Sequence, residues 1–320
     1  MTNPLSRRMY GDLVIVNGGS HPALAQEIAN YLQINLHGVE IKKFPNDNIY
    51  VRLLKSVRSR DVFIIHPTCH PVSDSIMTLL ILIDALWRDS AARITAVMPY
   101  FAYSRTDRKD QPRTPITARL MANLITTAGA DRFLTFDLHA SQITGFFDIP
   151  GDEMSAFPIL RDYFLKKQIR NGVVVAADEG ASKKARKFAE ALDLPLAIVE
   201  KRRKDMQSEA LTLIGEARGM DAIIFDDEVM TGGTVVNAAE LLKHIGARSV
   251  YLCATHPILS PPATERLAKA GFEEIVLTNT VPVPPEKRLP NMTVLSIGSF
   301  VAQIIDRIHR GSSVGELVNE

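Results

Sequence analysis

Asp226 and Asp227 stand side by side, and after three intervening residues the chain reads Thr231-Gly232-Gly233-Thr234. An adjacent carboxylate pair is rich in hydrogen-bond acceptors and suits two neighbouring hydroxyls of a sugar. The glycines that follow let backbone N–H groups approach an anion closely, and Thr231 and Thr234 add hydroxyl donors. A phosphate alone would be repelled by the two carboxylates, so the pairing points to a phosphorylated sugar. Four further clusters carry potential chemistry. Pro99–Ile116 holds Arg105, Arg108, Lys109 and Arg113 among Tyr100, Phe101 and Tyr103. Guanidinium groups pair bidentately with phosphate oxygens, so this loop suits a polyphosphate; Asp107 and Asp110 also fit a solvated, partly neutralised loop. His139, beside Asp137, suits a magnesium or phosphate contact as well as an ordinary core histidine. Asp178 and Glu179 precede Gly180 and a helix, where a carboxylate either holds Mg²⁺ or favours the helix dipole. Glu200–Lys204 concentrates four cations, either a mobile clamp over a transferring phosphoryl group or a solvated surface run.

These residues need elements to position them. Short β-rich runs alternate with helical patterns, which predicts an α/β protein with mostly parallel sheets flanked by helices. The expected strands are Leu13–Val16, Val62–Ile65, Arg93–Val97, Phe133–Phe136, Val173–Ala177, Leu196–Val199, Ala222–Phe225, Ser249–Ala254 and Glu274–Leu277. The expected helices are Pro22–Leu32, Ser75–Trp87, Ile116–Thr127, Lys183–Leu192, Val235–Ile245 and Phe300–Arg310. Each candidate cluster falls just beyond a strand end, where α/β sheets bind ligands. The helix after Gly233 adds partial positive charge to the anion cradle. Strand, acidic pair, glycine turn and helix together resemble the phosphoribosyl-diphosphate loop of the type I phosphoribosyltransferase fold.

An internal repeat organises the chain. Val62–Tyr100 runs strand, loop, helix, Ala-Ala-Arg, strand, Pro; Ala222–Pro257 runs strand, loop, helix, Gly-Ala-Arg, strand, His-Pro. Two copies of one α/β domain are expected, at 1–155 and 156–305, with a tail over 306–320 against the first. Only the second copy carries the acidic pair and glycine turn; residues 66–74 read HPTCHPVSD in the first. One sugar-phosphate site per chain follows.

Composition narrows the function. The chain has 320 residues and a net charge of +1, with no long basic block, which argues against nucleic acid and anionic membrane as partners. Two cysteines, Cys69 and Cys253, lack metal or disulfide spacing and fit a reducing compartment. No apolar run reaches spanning length and no secretory signal is evident, so a cytoplasmic location is expected.

Taken in order, PYFAYSRTDRK, RTPITARL, AGADRFLTFDLHASQITGFFDIP, KRR, DDEVMTGGT, THP and TNTVPVP identify the chain as resembling the ribose-phosphate diphosphokinase family over nearly its whole length. The resemblance implies two tandem phosphoribosyltransferase-like domains. It also implies transfer of the diphosphoryl group of ATP to the C1 hydroxyl of ribose 5-phosphate. Carried over by position, His139 and Asp178 would be Mg²⁺ ligands, and Lys201 and Arg203 the cations that stabilise the transition state. Asp226, Asp227, Thr231, Gly232, Gly233 and Thr234 would hold ribose 5-phosphate. Phe44, Asn46, Asn48, Arg105, Thr106, Lys109 and His139 would meet ATP, with Phe44 reaching from a neighbouring subunit of a hexameric or dimer-based homo-oligomer. Asn46-Asp47-Asn48 and Thr106 depart from the usual family pattern, as do Gly180-Ala181 and Pro257, but none removes a residue assigned to chemistry. A non-catalytic regulatory paralogue is the alternative, and retention of the full set above argues against it.

Overall fold

The computed structural model describes residues 10–205 and 208–317. It divides into two compact units: the described residues up to Ser155 with those from Ser296 on, and Ala156–Leu295.

In the first unit, β1 (Leu13–Asn17), β4 (Asp61–Ile65), β5 (Arg93–Met98), β6 (Arg132–Phe136) and β7 (Gly151–Met154) form one sheet in that order. Every pairing in it is parallel. Strand β4 is buried along its whole length, as the apolar run Val62–Ile65 demands of a strand covered on both faces. The covering helices are α1 (Pro22–Tyr31), α2 (Val72–Arg88), α3 (Thr117–Ala128) and α8 (Gly298–Arg310). His21 caps α1, its Nδ1 accepting from the Leu24 N–H at 3.2 Å, and α3 stops at Gly129 in the left-handed region. A separate antiparallel hairpin, β2 (Val39–Lys43) with β3 (Ile49–Leu53), projects the loop 44–48.

The second unit carries α4 (Phe157–Lys167), α5 (Ser182–Leu192), α6 (Gly233–Ile245) and α7 (Ala263–Lys269) around a seven-stranded sheet. Its strands are β8 (Gly172–Ala176), β9 (Leu196–Asp205), β10 (Ser208–Ile214), β11 (Asp221–Val229), β12 (Ser249–Pro257), β13 (Glu274–Thr278) and β14 (Met292–Leu295), ordered β10-β9-β8-β11-β12-β13-β14. Apolar clusters pack on both faces, one around Val175, Ile224 and Leu252, the other around Phe188, Phe225 and Cys253.

The repeat is visible as topology. The order β1-β4-β5-β6-β7 maps onto β8-β11-β12-β13-β14, strand for strand. The β2–β3 and β9–β10 pairs occupy the same place in the two halves of the chain, but only β9–β10 joins the main sheet, through β8.

Three of the expected elements differ in extent or placement. Strand β11 does not end at Phe225 but runs to Val229, because β12 is equally long and pairs with it through Asp226 opposite Ala254 and Glu228 opposite His256. The acidic pair therefore lies within the strand. Strand β9 likewise continues past Val199 to Asp205, held by antiparallel pairing with β10. Helix α8, whose first half was expected in the second domain, belongs to the first unit and packs on α1.

Candidate functional site

The second unit builds its site at the C-terminal ends of β8 and β11. Asp226 is buried, its Oδ1 accepting the Asp227 N–H at 2.9 Å, while Asp227 is half-buried. Burial, with the neighbouring Asp227 charge and a smaller contribution from Asp178, pushes the Asp226 carboxyl well above the usual carboxylate range. Hydroxyl donors or a cation supplied by a ligand would favour its charged form. Beyond Val229 the chain turns sharply. Gly232 has φ +75, the left-handed region that glycine enters without cost, and α6 begins at Gly233. No side chain caps this helix start, and Thr231 is exposed beside it. The first-turn N–H groups and the Thr231 and Thr234 hydroxyls thus border one turn, an arrangement suited to an anion.

Asp178 stands just beyond β8 and is half-buried. Its Oδ1 accepts the Ala181 N–H at 3.0 Å, and Ser182 Oγ donates to the Glu179 carbonyl at 2.6 Å, which shapes the turn leading into α5. The carboxylate thus serves this turn and also contributes to the charge felt by Asp226. From the first turn of α5, Lys184 Nζ lies 3.6 Å from Asp227 Oδ2. The sequence reading missed Lys184; its signal was a basic residue in the first turn of a helix, a place the dipole alone would not favour. Also missed was Arg266 on α7, whose Nη1 donates to the Thr231 carbonyl at 3.2 Å. Lys201 and Arg203 lie on β9, opposite Leu211 and Glu209 of β10, and their side chains fall outside the described part of the structure.

The first unit gathers its candidates at the ends of β4, β5 and β6. Thr68, beyond β4, ties two loops together: its N–H and Oγ1 both donate to the Tyr100 carbonyl, at 2.9 and 3.0 Å, and its Oγ1 accepts the Ala102 N–H at 2.7 Å. Arg105, Thr106 and Lys109 are exposed in the following loop. Thr106 Oγ1 donates to the Tyr103 carbonyl at 2.7 Å, and Asp107 accepts from Gln142 Nε2 at 3.1 Å. That last bond links the basic loop to the segment bearing His139, which is exposed. The backbone there is held by Asp137, at φ +39, whose Oδ1 accepts from Ser155 Oγ at 2.6 Å, and by Glu153, which accepts the Leu138 N–H at 3.0 Å. Phe44, Asn46 and Asn48 all sit on the tip of the β2–β3 hairpin. The Phe44 ring lies 5.6 Å from Tyr50, and Lys42 Nζ lies over both rings.

The proposed metal ligands His139 and Asp178 thus belong to different units. Among the described residues no group of three or more His, Cys, Asp or Glu side chains could hold a metal ion without other ligands. The donors that are present fit a hard divalent cation nonetheless. Carboxylate oxygens crowd around Asp226, and such a cation takes one or two carboxylates and completes its shell with water and substrate phosphates.

A family model described as the N-terminal domain of ribose phosphate pyrophosphokinase matches residues 13–129, and one described as the phosphoribosyl synthetase-associated domain matches 206–319. A ribose-phosphate pyrophosphokinase of Nostoc sp. is 47% identical over 307 residues, covering 95% of this chain and 93% of the relative. This chain belongs to the ribose-phosphate pyrophosphokinase family. The enzyme of that name from Caldanaerobacter subterraneus is 48% identical over 97% of this chain and 99% of its own. The crystal structure of phosphoribosylpyrophosphate synthetase from Mycobacterium smegmatis superposes with a TM-score of 0.89 at 40% identity, covering 94% of this chain and 100% of the other. Membership of this family agrees with the paired phosphoribosyltransferase-like architecture, and no helix among the described residues is long and apolar enough to cross a membrane.

Proposed function

We propose that the chain transfers the diphosphoryl group of ATP to ribose 5-phosphate, giving 5-phosphoribosyl 1-diphosphate and AMP for nucleotide biosynthesis. The observation that carries this reading is the acidic pair on β11 running directly into the glycine turn and α6, in a chain of this family. Asp226 and Asp227 accept hydrogen bonds from the ribose hydroxyls, and the 231–234 turn binds the 5-phosphate. Ribose 5-phosphate so held presents its C1 oxygen to the β-phosphorus of ATP. The new bond forms there, the bond from that phosphorus to the α,β-bridging oxygen breaks, and AMP departs with that oxygen while the C1 hydroxyl loses its proton. Little covalent work falls to the protein, so positioning and charge opposition dominate. Phe44, Asn46, Asn48, Arg105, Thr106, Lys109 and His139 hold ATP, and Lys201 and Arg203 oppose the charge developing on the transferred group.

A divalent metal, in our reading Mg²⁺, would be held by His139 and Asp178 and would supply charge neutralisation on the phosphate oxygens. The working form is a homo-oligomer, hexameric or dimer-based, whose neighbouring subunit brings Phe44 to the nucleotide; nucleic acid and membrane play no part in it, and the enzyme works in the cytoplasm. AMP release from ATP, Mg²⁺ and ribose 5-phosphate tests the reaction. Release should depend on the sugar phosphate, cease with EDTA, and collapse in Lys201→Ala by roughly a hundredfold or more, the scale on which one aimed stabilising donor acts. No AMP from the wild type would overturn the reaction; undiminished release in Lys201→Ala would remove that residue from it.

A further inference from the structure

The turn that we assign to the 5-phosphate follows Asp226 and Asp227 within a few residues, and Asp227 and Asp178 both act on Asp226. To this acidic stretch a phosphate monoester brings a charge of about −1.5 to −2 at pH 7. The cradle identified so far offers only neutral donors: backbone N–H groups, the Thr231 and Thr234 hydroxyls and the fractional charge of a helix start. Lys184 is committed to the sugar side, 3.6 Å from Asp227. The phosphate side needs a cation of its own.

Helix α7 supplies one. After β12 the chain runs back along the end of β11, with the Leu259 and Ser260 N–H groups donating to the Val229 and Met230 carbonyls at 3.0 and 2.9 Å. That path lays α7 directly against the turn. A Cβ placed on Gly232 would be 3.7 Å from Ala263 and 3.8 Å from Leu267, both on α7. One on Gly233 would be 3.5 Å from Arg266 Nη1. That nitrogen donates to the Thr231 carbonyl at 3.2 Å. This bond uses one of five guanidinium donors and fixes the planar group beside the first residue of α6, where the unfilled N–H groups of the helix start also point. The side chain is exposed, and so accessible to a small anion rather than sealed into the core.

We propose that Arg266 is a further ligand-binding residue of this site. It braces the turn through the Thr231 carbonyl and contributes a charged donor to the 5-phosphate of the sugar substrate, so that it selects the phosphorylated sugar. The proposal rests on the assignment of the turn to ribose 5-phosphate made above.

Arg266→Met keeps the aliphatic stem and removes the charge; Arg266→Lys keeps the charge without the fork. Kinetics are read for both substrates, with binding of ribose 5-phosphate measured separately by calorimetry in the absence of turnover. A charged hydrogen bond of this kind is worth about tenfold or more in affinity. Arg266→Met should therefore raise KM for ribose 5-phosphate by about that factor and weaken calorimetric binding to match. KM for ATP, kcat and the melting temperature should stay within about twofold or a degree or two of wild type, and Arg266→Lys should recover part of the loss. Unchanged ribose 5-phosphate affinity in Arg266→Met would overturn the proposal. So would equal losses for both substrates with a lowered melting temperature, which would make Arg266 a brace for the turn and nothing more. Wild-type protein that binds ribose 5-phosphate but releases no AMP would sink the proposed reaction while the calorimetric comparison at Arg266 still stood. Wild-type protein that fails to bind the sugar phosphate at all would sink both.

Discussion

The chemistry that we propose for the second unit turns on a few residues whose types were plain in the sequence. Asp226, Asp227 and the Thr231–Thr234 turn fall within nine residues of one another, so their spacing alone suggested the sugar-phosphate cradle that we propose. What the sequence could not show is that the pair sits inside β11, because the extra strand length comes from pairing with β12, 28 residues further along the chain. Arg266 was hidden for the same reason: its place beside Thr231 depends on how α7 folds back, and its neighbours Glu265 and Lys269 make it look like any surface charge. Gly232 gives the sharpest residue-level test. Its φ of +75 disfavours residues with a Cβ by backbone strain, whereas that Cβ would meet α7 only at ordinary contact distance. Gly232→Ala should therefore lose about 1–2 kcal/mol, the cost of a left-handed L-residue, and should raise KM for ribose 5-phosphate severalfold as the turn amides are displaced. Gly232→Asn, which tolerates that region, should lose less. Urea unfolding and steady-state kinetics measure the two effects; an Ala variant as stable as wild type would show that the turn relaxes freely.

At the scale of elements, the buried strands and the amphipathic helices were legible because their apolar runs and periodicities are strong. The β2–β3 hairpin was not, since VEIKK and IYVRL are short, charged and only half-buried. Packing between elements also creates groups whose behaviour no local pattern reveals, and His66 is the clearest. It ends the β4 run and joins three elements: Nδ1 lies 2.9 Å from the Gly18 carbonyl after β1, and Nε2 lies 2.9 Å from both the carbonyl and Oγ of Ser75 in α2. Burial favours the neutral imidazole and lowers its pKa from 6.5 to about 4, outweighing the Ser75 and Gly18 carbonyl contacts, which favour the protonated ring. The unfolded chain then takes up a proton near pH 6.5 that the folded chain refuses until about pH 4. Stability from this group is fully present above 6.5 and is lost as pH falls through that window, by about 3 kcal/mol in all. His66→Gln removes the titration. The stability advantage of wild type over this variant should shrink by that amount between pH 7 and pH 4, read by urea unfolding with the fluorescence of Trp87, the one tryptophan, which lies on α2 in the same unit. An advantage constant with pH would mean that the imidazole is solvated or already charged.

For the chain as a whole, the repeat announced two similar sheets, and the strand orders bear out that kinship. The route of the chain was less legible. The sequence suggests that only a tail over 306–320 returns to the first domain, but the chain leaves the first unit at Ser155 and re-enters it at Ser296, so that the whole of α8 completes a fold begun nearly three hundred residues earlier. Its fastening is polar as well as apolar. Asp61 at the start of β4 is fully buried and receives Arg93 Nε and Nη2 at 2.8 and 2.6 Å. His309 Nδ1 on α8 lies 2.7 Å from its Oδ2, Arg93 Nη2 also donates to the Ile308 carbonyl at 3.2 Å, and the Arg93 guanidinium stacks over the Tyr10 ring at 4.1 Å. One carboxylate thus joins the start of β4 and its neighbour β5 to the returning helix. Removing it by Asp61→Ala leaves a guanidinium nearly buried without its counter-charge, a lesion that costs about 3–5 kcal/mol where it has been measured. Each unit has its own apolar clusters, and Asp61 lies among those of the first, so the damage should be confined. Native-state hydrogen exchange should show amides of β4, β5 and α8 losing protection by about that 3–5 kcal/mol, while those of β8, β11 and β12 keep theirs. Equal loss of protection in both sets would mean that the two units unfold as one, and that the return of α8 ties the stability of the whole chain to this carboxylate.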